Sequence, residues 1–188
     1  MNRKAQRRQH RQHRERRQHR HSSCRRNIAE QLVLYGRGVL TAPNMQAERR
    51  YVQHRHSSCF DHSVAVAYLS LWIARRLRLR ADLSSLVRGA LLHDYFLYDW
   101  RLREESPRLH GFRHPRIALD NARRDFTLTP REEDIIRKHM FPLTPRPPRY
   151  KESVVVTCAD KICAVGELMN LCSLRRRVEG VNSCLDHS

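Results

Sequence analysis

Leu83-Ser84-Ser85-Leu86-Val87-Arg88-Gly89-Ala90-Leu91-Leu92-His93-Asp94 is the stretch on which the reading of this chain turns. Leu83, Leu86, Val87, Ala90 and Leu91 recur at steps of three, one, three and one, the spacing of an amphipathic helix with one buried face. His93 and Asp94, two side chains able to ligate a metal, close that helix. In a chain with 12 histidines the dipeptide alone is a weak signal. Its context is stronger, because His62, His114, His139 and Asp160 each lie in or at the start of a separate apolar-periodic segment.

Outward from that stretch the pattern is helical nearly throughout. A helix is expected from about Asn44 to Gln53, and another from near Asp61, along which His62, Val66, Leu69 and Ile73 share a face. Arg75, Arg76, Arg78 and Arg80 end it in solvent. Pro115 after His114 fits the first turn of a helix running to about Phe126. Thr129-Pro130-Arg131-Glu132 has the form of a capping box, and Ile135 and Ile136 place His139 on the buried side of the helix that follows. Pro142, Pro145, Pro147 and Pro148 make a stiff extended loop. The last long helix begins near Lys151 and carries Asp160 within Val154-Val155-Val156-Thr157-Cys158-Ala159; its continuation exceeds ordinary strand length.

The net charge of +18 is unevenly placed. Residues 1–26 hold 11 Lys or Arg and a single Glu, leaving +8 for the remainder. Such a segment has too little apolar surface to offset its ordering entropy and is expected to be disordered. Gln18 to Cys24 and Gln53 to Cys59 are the same seven-residue word, too short to be a structural repeat. The domain plan expected is a basic tail (1–26), a linker with a short helix (27–43), one helical domain (44–175) and a C-terminal tail (176–188). The 6 cysteines contain no Cys-x-x-Cys pair, which argues against a zinc knuckle or a disulfide scaffold, and Cys158 and Cys163 read as core. No apolar run is long enough to span a bilayer, so no membrane association and a reducing cytoplasm are expected.

The chemistry follows from the donor types. An ionised Asp160 inside an apolar helix costs several kcal/mol, roughly, unless a cation compensates it. Taken singly, each histidine reads as an ordinary core or surface residue. Taken together, His62, His93, Asp94, His114, His139 and Asp160 are a candidate metal-ligand set. Imidazoles and carboxylates without thiolate suit divalent Fe, Mn, Co, Ni or Zn. A carboxylate such as Asp94 can bridge two ions, which would activate water and clamp an in-line displacement at phosphorus. Nothing resembling a Gly-x-Ser-x-Gly elbow or a catalytic cysteine is present.

At this point the order His62, His93-Asp94, His139, Asp160 resembles the His, His-Asp, Asp signature of the HD-domain metal-dependent phosphohydrolase superfamily. The segment Gly89 to Trp100 with His110-Gly111-Phe112-Arg113-His114-Pro115 is similar to a bacterial group within it, over roughly residues 44 to 170. The resemblance implies an all-α HD-domain helical bundle. It also implies one ion at His62, His93, Asp94 and Asp160, and a second at His114 and His139 with Asp94 between them, Fe or Mn foremost. His110 is the rival of His114. Asp94 and Lys161 are the expected catalytic groups, and Arg113, Arg116 and Lys138 the expected phosphate-binding groups. Many members place Ile-Gly-Lys after the His-Asp pair; this chain has Tyr95-Phe96-Leu97, so that lysine is missing. His54 and Asp99 are candidates to support the ligands.

The leading reading is therefore a metal-dependent phosphohydrolase that cleaves a phosphate mono- or diester of a nucleotide or dinucleotide with metal-activated water. The alternative is a nucleic-acid-binding or nucleotide-sensing protein on the same scaffold, without turnover. In that case the basic tail contacts RNA through counterion release, although residues 1–34 hold no aromatic for base stacking. Oligomeric state is open.

Overall fold

The structure is a computed structural model of the chain, and it describes residues 28–54, 57–99, 110–168 and 175–186. The fold is the expected all-α bundle. Helix α1 covers residues 28–40 and is followed by α2 (Pro43–Ala47), a 3-10 turn (Glu48–Arg50), and strands β1 (Val52–His54) and β2 (Ser57–Ser58). Then come α3 (Cys59–Arg76), α4 (Leu83–Leu92), α5 (His110–Asp125), α6 (Pro130–Lys138), α7 (Lys151–Leu168) and α8 (Arg175–Asp186). Among the described residues the only sheet is the antiparallel β1–β2 hairpin.

Helix α3 is the hub. It packs against α4, α7 and α8, while α6 packs against α4, α5 and α7. Its burial is nearly all round, from Phe60 through Leu71, so it is a core helix and not a surface one. Ser58 begins it with a capping box: the Ser58 hydroxyl accepts from the Asp61 amide at 3.1 Å, and Asp61 reaches back to Ser58.

Polar ties at the helix starts also fix α4, α6 and α7. Asp82 caps α4 by accepting from the Ser85 amide, and the Asp82 amide donates to Glu152 on α7 at 2.8 Å. The capping box expected at Thr129 and Glu132 forms, and the other Glu132 oxygen takes Arg88 Nε of α4 at 2.7 Å. Helices α4 and α6 pack tightly at Gly89, where an added Cβ would stand 2.5 Å from Ile135 Cδ1. A methyl there would crowd the Ile135 side chain, and one turn further along the two helices end at His93 and His139.

Several expectations are corrected. The stretch 44–53 is not one helix but a short helix, a 3-10 turn and the first hairpin strand. Residues 28–40 are more than a linker: Ile28, Leu32, Val39 and Leu40 are buried in the common core. Residues 175–186 likewise form a helix, with Val178 and Val181 buried against it. The core thus extends beyond 44–175 at both ends, since both segments carry enough apolar residues to cover faces of α3 and α4 that would otherwise meet water. Helix α5 starts at His110, so Pro115 lies inside it. The carbonyl that Pro115 leaves without its helical donor is that of Gly111. Cys163 is buried, but Cys158 is exposed on the outer side of α7. The basic tail of residues 1–26, and the RNA contact expected of it, lie outside the described residues. No described helix is long and apolar enough to cross a membrane.

Candidate metal centre

Five helices deliver six side chains to one buried place. His62 comes from the first turn of α3, His93 and Asp94 from the turn that ends α4, His114 from α5, His139 from the C-terminal cap of α6, and Asp160 from the middle of α7. All six are buried. The turn after α4 is held in shape by the Asn121 side chain, whose amide donates to the carbonyls of Tyr95 at 3.2 Å and Phe96 at 3.1 Å. Beyond it Leu97 adopts a left-handed backbone with φ of 60°, strained for a residue with a branched side chain.

Asp94 is the centre of the arrangement. Its Oδ2 lies 3.5 Å from His93 Nε2 and 4.0 Å from His62 Nε2. Its Oδ1 lies 3.2 Å from His114 Nε2 and 3.4 Å from His139 Nε2. One carboxylate oxygen therefore faces each pair of histidines, and His62–His93–Asp94 and Asp94–His114–His139 are two candidate metal-binding groups that share Asp94. Asp160 closes the first side, with Oδ1 3.2 Å from His62 Nε2 and 3.7 Å from His93 Nε2.

Hydrogen bonds behind the rings fix which nitrogen points inward. His93 Nδ1 is 2.8 Å from the Ala90 carbonyl and His139 Nδ1 is 2.8 Å from the Ile136 carbonyl. A carbonyl only accepts, so each Nδ1 carries a proton and a neutral ring turns the lone pair of Nε2 toward Asp94. His93 Nε2 is buried and makes no hydrogen bond among the described residues. Lone pairs aimed at carboxylate oxygens repel unless a cation or proton lies between them. The donor set fits divalent metal for that reason.

The electrostatics show the same demand. Burial pushes the Asp94 carboxyl up, but His93, His114 and His139 together hold it well below the usual carboxylate range. Burial pushes Asp160 up as well, and the hydrogen bond to His62 with the nearby His93 ring overrides it downward. Burial alone would lower His62 and His93; Asp160 and Glu167 raise the first well above the ordinary histidine value, and Asp94 and Asp160 raise the second. His139 goes down, because burial outweighs the help of Asp94. Without a metal, the cluster holds protons where cations would sit.

The HD domain family model matches residues 59–165, from the start of α3 to within α7. The chain belongs to the HD-domain family. Comparisons with curated proteins and with solved structures give no match. Membership places the chain in the HD-domain metal-dependent phosphohydrolase superfamily, whose domains bind divalent metals.

Around the HD cluster the expected cations divide. Lys161 Nζ donates to the His139 carbonyl at 3.0 Å, so it braces the end of α6. Adjacent helix residues point about 100° apart, and with Asp160 turned inward Lys161 faces elsewhere. Lys138 pairs with Asp134 at 2.6 Å, and Arg116 stands on the outer face of α5, 3.9 Å from Asp120. Arg113 is exposed, and its charge acts on Tyr98, opposing the upward push that burial and Asp94 give that phenol. His114 is the residue brought to the cluster; the side chains of His110 and His54 lie outside those described. Asp99 is half-buried, and its charge reaches Cys59.

Two acids went unread in the sequence. Glu167 Oε1 lies 2.9 Å from His62 Nδ1. Its spacing of seven from Asp160, two turns on one helix face, was the available signal. Glu48 is fully buried beside α3, and neither carboxylate oxygen makes a hydrogen bond among the described residues. Burial, with Asp94 adding to it, pushes its pKa well above the usual value. In the sequence it stands within Gln46-Ala47-Glu48-Arg49-Arg50 and reads as surface.

Proposed function

We propose that this protein is a metal-dependent phosphohydrolase cleaving a phosphate ester of a nucleotide or dinucleotide, with two divalent ions held on either side of Asp94. The observation that carries the reading is the division of the Asp94 carboxylate, one oxygen toward His62 and His93 and the other toward His114 and His139. His62, His93, Asp94 and Asp160 would hold one ion; Asp94, His114 and His139 would hold the other. Divalent ions so placed supply Lewis acidity toward phosphoryl oxygens and lower the pKa of water.

The chain's own residues supply the rest. Asp94 keeps a negative charge in a buried site, where it orders both halves of the cluster. The carbonyls behind His93 and His139 hold those rings in one tautomer. Exposed Arg113 is the flanking cation best placed to meet phosphate, as Lys138 and Lys161 are engaged within the fold. The buried Phe96 ring lies 4.9 Å from that of half-buried Tyr98, tilted by 47°, and meets His114 edge-on at 5.9 Å. Half-buried Tyr98, with the charge of exposed Arg113 acting on it, suits a nucleotide, which offers a base face and a phosphate.

The test is phosphate release by the full chain loaded with iron under anaerobic conditions or with manganese. Nucleoside mono- and polyphosphates, guanosine alarmones, diadenosine polyphosphates and cyclic dinucleotides form the panel. Turnover of one class that is lost in H93A supports the reading. Saturated metal with no turnover of any member contradicts it and favours nucleotide sensing on an HD scaffold.

A further inference from the structure

His93 and His139 obtain their Nδ1 partner from their own helices. Each sits just past a helix end, where the carbonyls of the last turn have no intrahelical donor, and each donates to the carbonyl three residues back. His62 cannot do this. It lies four residues into α3, where the carbonyls of the first turn already serve the helix and only N–H groups are unpartnered. An acceptor for its Nδ1–H has to come from another element.

Glu167 is that acceptor. Asp160 and Glu167 stand on one face of α7, about 10 Å apart along the axis, and the His62 ring is inserted between them. Its Nε2 is 3.2 Å from Asp160 Oδ1 and its Nδ1 is 2.9 Å from Glu167 Oε1. The other oxygen of Glu167 accepts from the Ser57 hydroxyl at 2.9 Å, so the carboxylate is held at both ends. Ser57 belongs to β2, the strand that leads directly into α3. One side chain thus joins the hairpin, the first turn of α3 and the end of α7 around His62.

We infer that Glu167 is a positioning residue for the metal centre: it fixes His62 with the proton on Nδ1 and the lone pair of Nε2 toward Asp94 and Asp160, and its charge strengthens that nitrogen as a donor. The inference rests on the proposed metal site, and it assigns a role to a residue and to the hairpin serine that anchors it. A carboxylate does this better than a carbonyl because it leaves the ring's basicity higher. Ser57 restricts the carboxylate to the orientation that the ring needs.

The experiment is a calorimetric titration of the metal-free full chain with Mn(II), comparing wild type, E167Q, E167A, S57A and H93A. Alongside it, 15N-detected histidine spectra are taken of the Zn(II)-loaded proteins. E167A should bind Mn(II) about 10- to 100-fold more weakly. E167Q keeps the volume and an acceptor for Nδ1–H, so it should retain the His62 tautomer and show a smaller, several-fold loss. S57A should lie between wild type and E167Q. In the spectra wild type should show His62 with Nδ1–H and a metal-shifted Nε2, and E167A should show a fraction of His62 without the metal shift, exchanging between tautomers, while His93 and His139 keep theirs. E167Q and E167A at wild-type affinity with His62 unchanged overturn the assignment. Wild type binding Mn(II) no more tightly than H93A overturns instead the metal site on which it rests.

Discussion

His114 Nε2 and His139 Nε2 face each other across 2.9 Å. His139 uses its Nδ1 proton on the Ile136 carbonyl, so its Nε2 brings a lone pair to this meeting and the pair closes only with a proton or a cation. Both nitrogens also lie within 3.4 Å of Asp94 Oδ1. Two imidazole nitrogens and a carboxylate oxygen so arranged could serve as three corners of a coordination shell.

Metal should therefore stabilise the fold, and the His114–His139 pair should carry part of that effect. At a metal concentration about 100 times Kd, one site adds about 2.7 kcal/mol, which for a chain of this size is a rise in Tm of about 5–10 °C. Calorimetric melting with and without Mn(II) should show at least that shift in wild type and a smaller one in H114A. The chelator-treated forms of the two should melt much closer together.

The pH dependence of the metal-free protein has a sign that can be worked out. His62 and His93 are raised on folding, so their contribution to stability is full below pH about 6.5 and is lost as pH rises through their folded values. His139 is lowered and opposes this, costing stability as pH falls through about 6.5. Two groups against one leave the metal-free protein less stable as pH rises above neutrality. The metal-loaded protein should not lose stability there, because metal binding releases the same protons, and its apparent affinity should increase with pH. Urea denaturation from pH 6 to 9 with chelator and with Mn(II) measures both trends.

Gly89→Ala places a methyl 2.5 Å from Ile135 Cδ1 and 3.1 Å from Ile135 Cβ, so α6 has to retreat from α4. The cost in stability should be about 1–3 kcal/mol. His93 and His139, whose ring centroids are 4.9 Å apart, ride on these two helices. Mn(II) affinity should fall along with urea stability in G89A, whereas a substitution at exposed Gly38, where an added Cβ meets nothing, should change neither.

Glu48 is buried with neither oxygen hydrogen-bonded among the described residues, and its raised pKa means that the ionised form opposes folding at every pH above the unfolded value of about 4.5. Glu48→Met removes that charge and keeps an unbranched side chain of similar length. At pH 7 the metal-free protein should gain about 1–2 kcal/mol in urea denaturation. At pH 4, where the carboxyl is protonated in both states, the gain should shrink.

The parts of this fold that were legible in the sequence are those where local rules act alone. Apolar periodicity gave the α4 run and its His-Asp terminus, and Thr129 and Glu132 gave the start of α6. The candidate metal-binding side chains stood out because a histidine or aspartate on an apolar face has to be answered by something. Glu48 and Glu167 were not, since the burial of a lone glutamate depends on which helix packs over it. The β1–β2 hairpin was hidden in Gln53 to Cys59, whose polar composition has no strand alternation. The capping box at Ser58 and Asp61 was present in the sequence as Ser-x-x-Asp, and it would have moved the start of α3 from Asp61 to Cys59. Lys161 shows the limit of adjacency: next to Asp160 in the chain, it serves the carbonyl of His139 instead.

The central claim is that Asp94 serves two ions at once, and metal content at saturation tests it most directly. Elemental analysis of the full chain after equilibration with Mn(II) should give about two ions per chain in wild type, about one in H114A, and close to none in D94A. A wild-type content of about one ion, or a D94A protein that keeps both, would contradict it.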